Sequence, residues 1–136
     1  MRILVAEDNT TLADGLAAVL RAAGYAVDVV GDGVSADAVI STTDFDLVVL
    51  DLNLPEMDGL EATRRTRAHE AGTGQRIPIV ALTANAMVGD REQCLEAGMD
   101  DFLSKPFQLR ELAAAIQRWC PEQVAPDSGK TQEMTG

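Results

Sequence analysis

Short apolar runs alternate along the chain with longer stretches of helical period. Ile3-Leu4-Val5-Ala6, Ala26-Val27-Asp28-Val29-Val30, Leu47-Val48-Val49-Leu50, Ile79-Val80-Ala81-Leu82 and Phe102-Leu103 predict five strands. Four of these runs lack polar alternation, the pattern of strands covered on both faces, as in a parallel sheet between helical layers. The second run, interrupted by Asp28, reads as an edge.

Helical patterns fill the intervals. Thr11-x-x-Asp14 resembles a capping box opening a first helix, with Leu12, Leu16, Val19 and Leu20 on one face and Gly24 marking its end. A shorter second helix runs from about Val34 to Ser41. A third follows Asp58-Gly59 and reaches about His69, and a fourth ends at Ala97-Gly98 with Cys94 and Leu95 turned inward. The fifth places Leu109, Leu112, Ala113, Ile116 and Trp119 on one stripe, and Pro121 stops it. Five β/α alternations with right-handed crossovers predict a three-layer α/β/α sandwich over residues 1–120. Residues 121–136 form a polar tail expected to be disordered.

Composition narrows the choice of partners. The 136 residues carry 46% hydrophobic and 24% charged side chains, enough for one core. A formal net charge of -11 argues against nucleic acid and against anionic membranes as partners. No apolar run approaches the roughly 20 residues that span a bilayer. Cys94 and Cys120 sit in no metal-ligand spacing, and no signal sequence precedes them, so they read as reduced thiols of a cytoplasmic protein. The sole histidine, His69, reads as solvated.

Ligands of an open α/β sheet bind beyond the carboxyl ends of its strands. There the chain places Glu7 and Asp8, Asp51, Thr83 and Lys105. Three carboxylates gathered at one rim repel one another unless a cation joins them. Hard oxygen donors without thiolate or imidazole suit Mg²⁺, with Mn²⁺ able to take its place. An incoming phosphoryl group would be repelled by the same carboxylates, so metal should be obligatory for its transfer. Lys105 offers a compact charge to such a group, and the small Ala84 leaves room for a donor side chain.

The segments Met1 to Asn9, Asp51-Leu52-Asn53-Leu54-Pro55-Glu56-Met57-Asp58-Gly59, Ala81-Leu82-Thr83-Ala84-Asn85 and Ser104-Lys105-Pro106-Phe107, in this order and spacing, resemble the receiver domain of two-component response regulators. The resemblance covers about residues 2 to 119. It implies a flavodoxin-like five-stranded parallel sheet of order 2-1-3-4-5. It implies that Asp51 is the phosphoacceptor, supplied by a histidine kinase or a histidine phosphotransfer protein. Asp8 and Asp51 would bind Mg²⁺ directly, Glu7 through water and Asn53 through its backbone carbonyl. Thr83 and Lys105 would hold phosphoryl oxygens, and Thr83 with Phe102 would form the switch. Many relatives carry tyrosine where this chain has Phe102, so an output that needs that hydroxyl is not implied. Pro106 would follow a cis peptide bond.

The signal would leave through the face made by the fourth helix, fifth strand and fifth helix, toward a downstream protein or a second copy. A dimer is expected around Arg91 to Cys94 and Gln108 to Arg118. A stand-alone regulator is the favoured form, with a receiver segment of a hybrid histidine kinase as alternative. No turnover enzyme is expected beyond phosphorylation and dephosphorylation at Asp51. An aspartate-nucleophile phosphatase of the haloacid-dehalogenase type would need an acid where Asn53 stands. A flavodoxin-like cofactor binder would need a phosphate cradle where Glu7-Asp8-Asn9 stands. A receiver-like module that only binds proteins would take up no phosphoryl group.

Overall fold

The computed structural model describes residues 1–83, 88–105 and 107–120. The order is β1 (Arg2–Ala6), α1 (Thr10–Ala22), β2 (Ala26–Val30), α2 (Gly33–Thr42), β3 (Leu47–Asp51), α3 (Gly59–Glu70), β4 (Ile79–Thr83), α4 (Val88–Ala97), β5 (Asp101–Ser104) and α5 (Leu109–Trp119). The five strands form one parallel sheet of order β2-β1-β3-β4-β5, with β2 at the edge that Asp28 marks.

The sheet divides two apolar layers, which explains the lack of alternation. Ile3, Val5, Val49 and Leu82 face α1 and α5, where Leu16, Leu20, Leu112 and Ile116 meet them. Leu4, Ala6, Leu50 and Ala81 face the other way, toward Ala36, Ile40, Ala62 and Cys94. Every residue of β3 and β4 is buried. The register sets Ala6 beside Leu50, Asp51 beside Leu82 and Thr83 beside Ser104, so the strand ends lie in one row.

Several helix details differ from the sequence-based expectation. The cap of α1 is Asn9, whose side chain accepts from the Leu12 N–H at 3.1 Å, so Thr11 lies inside the first turn. Gly24 does end the helix: at φ +102° it donates to the Arg21 carbonyl while Tyr25 reaches Leu20. Val19 is 41% exposed because the buried stripe is Ala13, Leu16, Ala17 and Leu20. Leu95 points outward at 55% exposure, since α4 turns Cys94 and Ala97 to the core and a neighbouring position lies about 100° away. In α5 only Leu112, Ala115 and Ile116 are buried. Leu109, Ala113 and Trp119 are exposed, and Trp119 donates its indole N–H to Asp101. Ala84, Pro106, residues 121–136 and the Arg91 side chain lie outside what the structure describes.

Both cysteines are buried and neither forms a disulfide, and Cys120 donates to the Asp46 carbonyl at 3.2 Å. Burial, reinforced by the charge of Asp46, pushes the Cys120 thiol pKa up and keeps it protonated.

An ion network ties the sheet together at the amino ends of β4 and β5. Arg67 on α3 donates to the carbonyls of Gly98 and Ile77 at 2.8 and 2.9 Å and to the carboxylates of Glu70 and Asp100 at 2.7 Å each. Asp100 also accepts from the Ile79 N–H and from Arg76, while Glu70 accepts from the Ile77 N–H. Arg67 and Asp100 are little exposed, at 15% and 8% of their side chains, so their mutual satisfaction matters.

Candidate active site

At the opposite pole, the carboxyl ends of β1, β3, β4 and β5 carry the residues singled out in the sequence. Glu7 follows β1 and donates its N–H to the Val30 carbonyl, which fixes its backbone across β2. Its Oε2 accepts from the Asn9 N–H at 3.0 Å. Asp51 closes β3, and its Oδ1 accepts from the Asn53 N–H at 3.2 Å. The Lys105 N–H reaches the Thr83 carbonyl at 2.7 Å, extending the ladder past β4 and β5.

Glu7, Asp51 and Thr83 are nearly inaccessible, whereas Asp8 and Asn53 face solvent. One carboxylate oxygen from each of Glu7, Asp8 and Asp51 lies within 4.8 Å of the others. The Lys105 ammonium stands 2.7 Å from Glu7 Oε1 and 3.3 Å from Asp51 Oδ2. The Glu7 contact is a close approach of charges without regular hydrogen-bond angles. It leaves the buried Oε1 with no properly directed donor among the described residues. That underused oxygen, in an all-oxygen donor set with one solvent-facing carboxylate, fits a hard divalent cation that keeps part of its water shell.

Burial is the largest single influence on Lys105 and pulls its pKa down. Contact with Glu7 and the charge of Asp51 together outweigh it and hold the pKa above the ordinary lysine value. A folded-state value above the unfolded one means that the pairing stabilises fully below the ordinary value and is lost as pH rises through the folded one. In magnesium-free buffer, urea denaturation should show a constant stability gap between wild type and Lys105→Ala through neutral pH, closing only in strongly alkaline solution. Closure of that gap at neutral pH contradicts the pairing.

Other parts of the site were hidden in the sequence. A Cβ on Gly59 would lie 2.5 Å from the Asp51 carbonyl oxygen, so glycine lets α3 start against the end of β3. The only hint was the Asp58-Gly59 pair, where Asp58 caps the helix through the Glu61 N–H at 2.8 Å. Phe102 is half-buried against the α2–α3–α4 side of the sheet, in register with Ala81 and two residues upstream of Ser104. An apolar groove of about 690 Å³ runs between α1 and the start of α5, from Val19 past Leu12 and Phe107 to Asn9 and Lys105. A second groove, of about 630 Å³, lies at the other pole beside Phe45, the exposed His69 and Arg76, away from the converging carboxylates.

Known proteins share this arrangement. The family model described as response regulator receiver domain matches residues 3–117. The chain is 46% identical over 117 residues to the transcriptional regulatory protein TctD of Salmonella typhimurium, covering 86% of this chain and 50% of that protein. It is also 46% identical to the response regulator protein PmrA of Pseudomonas aeruginosa, with 86% and 51% covered. The chain thus spans about half the length of these curated relatives.

Among solved structures, it is similar to the receiver domain of the sensor histidine kinase PA1611 of Pseudomonas aeruginosa. The identity is 47% and the TM-score 0.78, over 87% of this chain and 95% of that one. That domain holds a magnesium ion coordinated in its active-site cleft. The chemotaxis protein CheY4 of Vibrio cholerae superposes with a TM-score of 0.79 at 27% identity, over 87% and 97% of the two chains. With the strand order, the acidic rim and these likenesses in agreement, the chain belongs to the response regulator receiver domain family.

Proposed function

We propose that the chain is a phosphoacceptor switch in His-Asp signal transduction, with Asp51 as the residue phosphorylated. The observation that carries this reading is the convergence of Glu7, Asp8 and Asp51 within 4.8 Å, with the Lys105 ammonium against two of them. Mg²⁺, when bound by Asp8, Asp51 and the Asn53 carbonyl and through water by Glu7, supplies the charge neutralisation that lets an anionic group approach. Mn²⁺ is expected to replace it.

An Asp51 carboxylate oxygen attacks phosphorus, the bond from phosphorus to the donor histidine nitrogen breaks, and the imidazole keeps the bonding electron pair. The Asn53 N–H on Oδ1 holds the nucleophile in place. Thr83 donates its hydroxyl to one phosphoryl oxygen, and Lys105 pairs with another. The donor is a histidine kinase or a histidine phosphotransfer protein, and the apolar groove beside Asn9 and Lys105 offers it a surface that ends at the chemistry. The chain turns over no other substrate.

As Thr83 moves toward the phosphoryl group, Phe102 fills the vacated space and reshapes the α4–β5–α5 face. That face already exposes Leu95 and Trp119, and it receives a downstream protein or a second copy. The protein acts in the cytoplasm. No helix among the described residues is long and apolar enough to cross a membrane.

Transfer from a purified phosphohistidine donor should require Mg²⁺ and stop on chelation; labelling undiminished by chelator contradicts the reading. Lys105→Ala should keep or tighten Mg²⁺ uptake, because a competing cation is removed from Glu7 and Asp51, while the phosphorylation-dependent change at Phe102 is lost. Equal losses of both, followed by calorimetry and ¹⁹F-labelled phenylalanine spectra, would count against this role.

These roles are compatible with more than one form of the whole protein. A stand-alone regulator is our first reading. A receiver segment of a hybrid histidine kinase is the second, supported by the 47% identity to the receiver domain of the sensor histidine kinase PA1611. The size of the native polypeptide on an immunoblot tests the first: 14.5 kDa supports it, and a much larger band contradicts it.

A further inference from the structure

Two glycines bracket the loop that follows Asp51. Gly59 sits under the Asp51 carbonyl, and Gly33, the first residue of α2, presses on the loop from the far side. A Cβ on Gly33 would stand 1.7 Å from the Met57 carbonyl oxygen, 2.5 Å from its carbonyl carbon and 2.7 Å from its Cβ. The obstacle is mainly backbone, so no rotamer change can relieve it.

The loop also has little freedom to retreat. The Pro55 carbonyl accepts from the Gly33 N–H at 3.1 Å and from the Met57 N–H at 2.8 Å. The second bond closes a three-residue turn through Glu56, which is held at φ +73°, a conformation that side chains other than glycine rarely adopt. Upstream, the Leu52 N–H is tied to the Leu82 carbonyl at 3.0 Å, and the Asn53 N–H is tied to Asp51 Oδ1. Displacing Met57 therefore pulls on Asn53 and, through it, on the nucleophile.

We propose that Gly33 is a positioning residue for the cation and phosphoryl site. Its missing side chain lets α2 set the path of residues 52–58 and so the backbone of Asn53 beside Asp51. The inference rests on the magnesium-dependent reading of the site given above.

The test is calorimetric Mg²⁺ titration of the full chain, with amide exchange at Asn53 recorded in magnesium-free buffer. Gly33→Ala should weaken Mg²⁺ binding roughly tenfold or more, the usual scale for disturbing the support of a metal ligand, and should speed exchange at Asn53 relative to Val5. Gly31→Ala, whose added Cβ meets nothing within 4 Å, should leave both unchanged. Arg67→Met, a destabilising lesion at the other pole, should leave Mg²⁺ affinity unchanged and so separates positioning from mere loss of stability.

Should Gly33→Ala fail to fold, Asp32→Ala serves in its place. It removes the cap that holds the first turn of α2 through the Ser35 N–H at 2.6 Å and adds no bulk. It should weaken Mg²⁺ binding by about two- to fivefold, the scale of a lost helix cap. Wild-type affinity in a folded Gly33→Ala, or in Asp32→Ala when Gly33→Ala is unfolded, overturns the inference alone. Absence of Mg²⁺ uptake by the wild-type chain overturns the underlying reading of the site as well.

Discussion

Asp51→Asn should take up no phosphoryl group from acetyl phosphate and Mg²⁺, whereas the wild-type chain gains one per molecule. The expected loss in labelling rate exceeds about a thousandfold, because an amide oxygen is a poor nucleophile. Glu7 is buried with one oxygen engaged by the Asn9 N–H and the other against Lys105. Asp8 faces solvent and has no side-chain hydrogen bond among the described residues. Asp51 shares with Glu7 its burial, a backbone N–H on one oxygen and a lysine beside the other, but Lys105 stands 3.3 Å from Asp51 against 2.7 Å from Glu7, which leaves the Asp51 oxygen the less engaged nucleophile. Intact-mass measurement checks the stoichiometry. The added group should survive acid and be lost in base, as an acyl phosphate is. Labelling of Asp51→Asn at the wild-type rate would contradict the assignment.

Arg67→Met should cost the fold heavily. It keeps the aliphatic stem and removes every donor, leaving Asp100, Glu70 and two carbonyls short of partners at a mostly buried position. Breaking such a pair from one side costs about 3–5 kcal/mol. For a domain of this size that lowers Tm by roughly 10–20 °C. Adding Asp100→Asn should recover part of the loss, since it removes a buried charge then left to the exposed Arg76 alone, while its amide oxygen can still accept from the Ile79 N–H. Urea denaturation of both variants checks this; a loss of less than about 1 kcal/mol in Arg67→Met would place the network among surface pairs of little consequence.

The architecture was readable because burial on two faces leaves a direct trace in composition. A run such as Leu47 to Leu50 has no polar residue to offer solvent, while Asp28 marks β2, one of the two strands at the edges of the sheet. The acidic rim was readable for a related reason, since polar residues directly after such runs must emerge at the same edge of a parallel sheet.

Less of the helical detail was legible. Leu95, Leu109 and Trp119 have the right character for a core, but α4 buries a narrow stripe and the ends of α5 expose theirs. The Arg67 network and the Gly33 contact were silent because each joins distant residues: Arg67 with Asp100, and Gly33 with Met57. An arginine read alone is a surface charge, and a glycine read alone is a turn. Only their surroundings give them a role.

Calorimetric titration with Mg²⁺ puts the central claim to its most direct test. The account predicts one ion bound per wild-type chain, with uptake abolished in Asp8→Asn and Asp51→Asn although both remain folded. Wild-type uptake in the two variants, or none in the wild type, would contradict it.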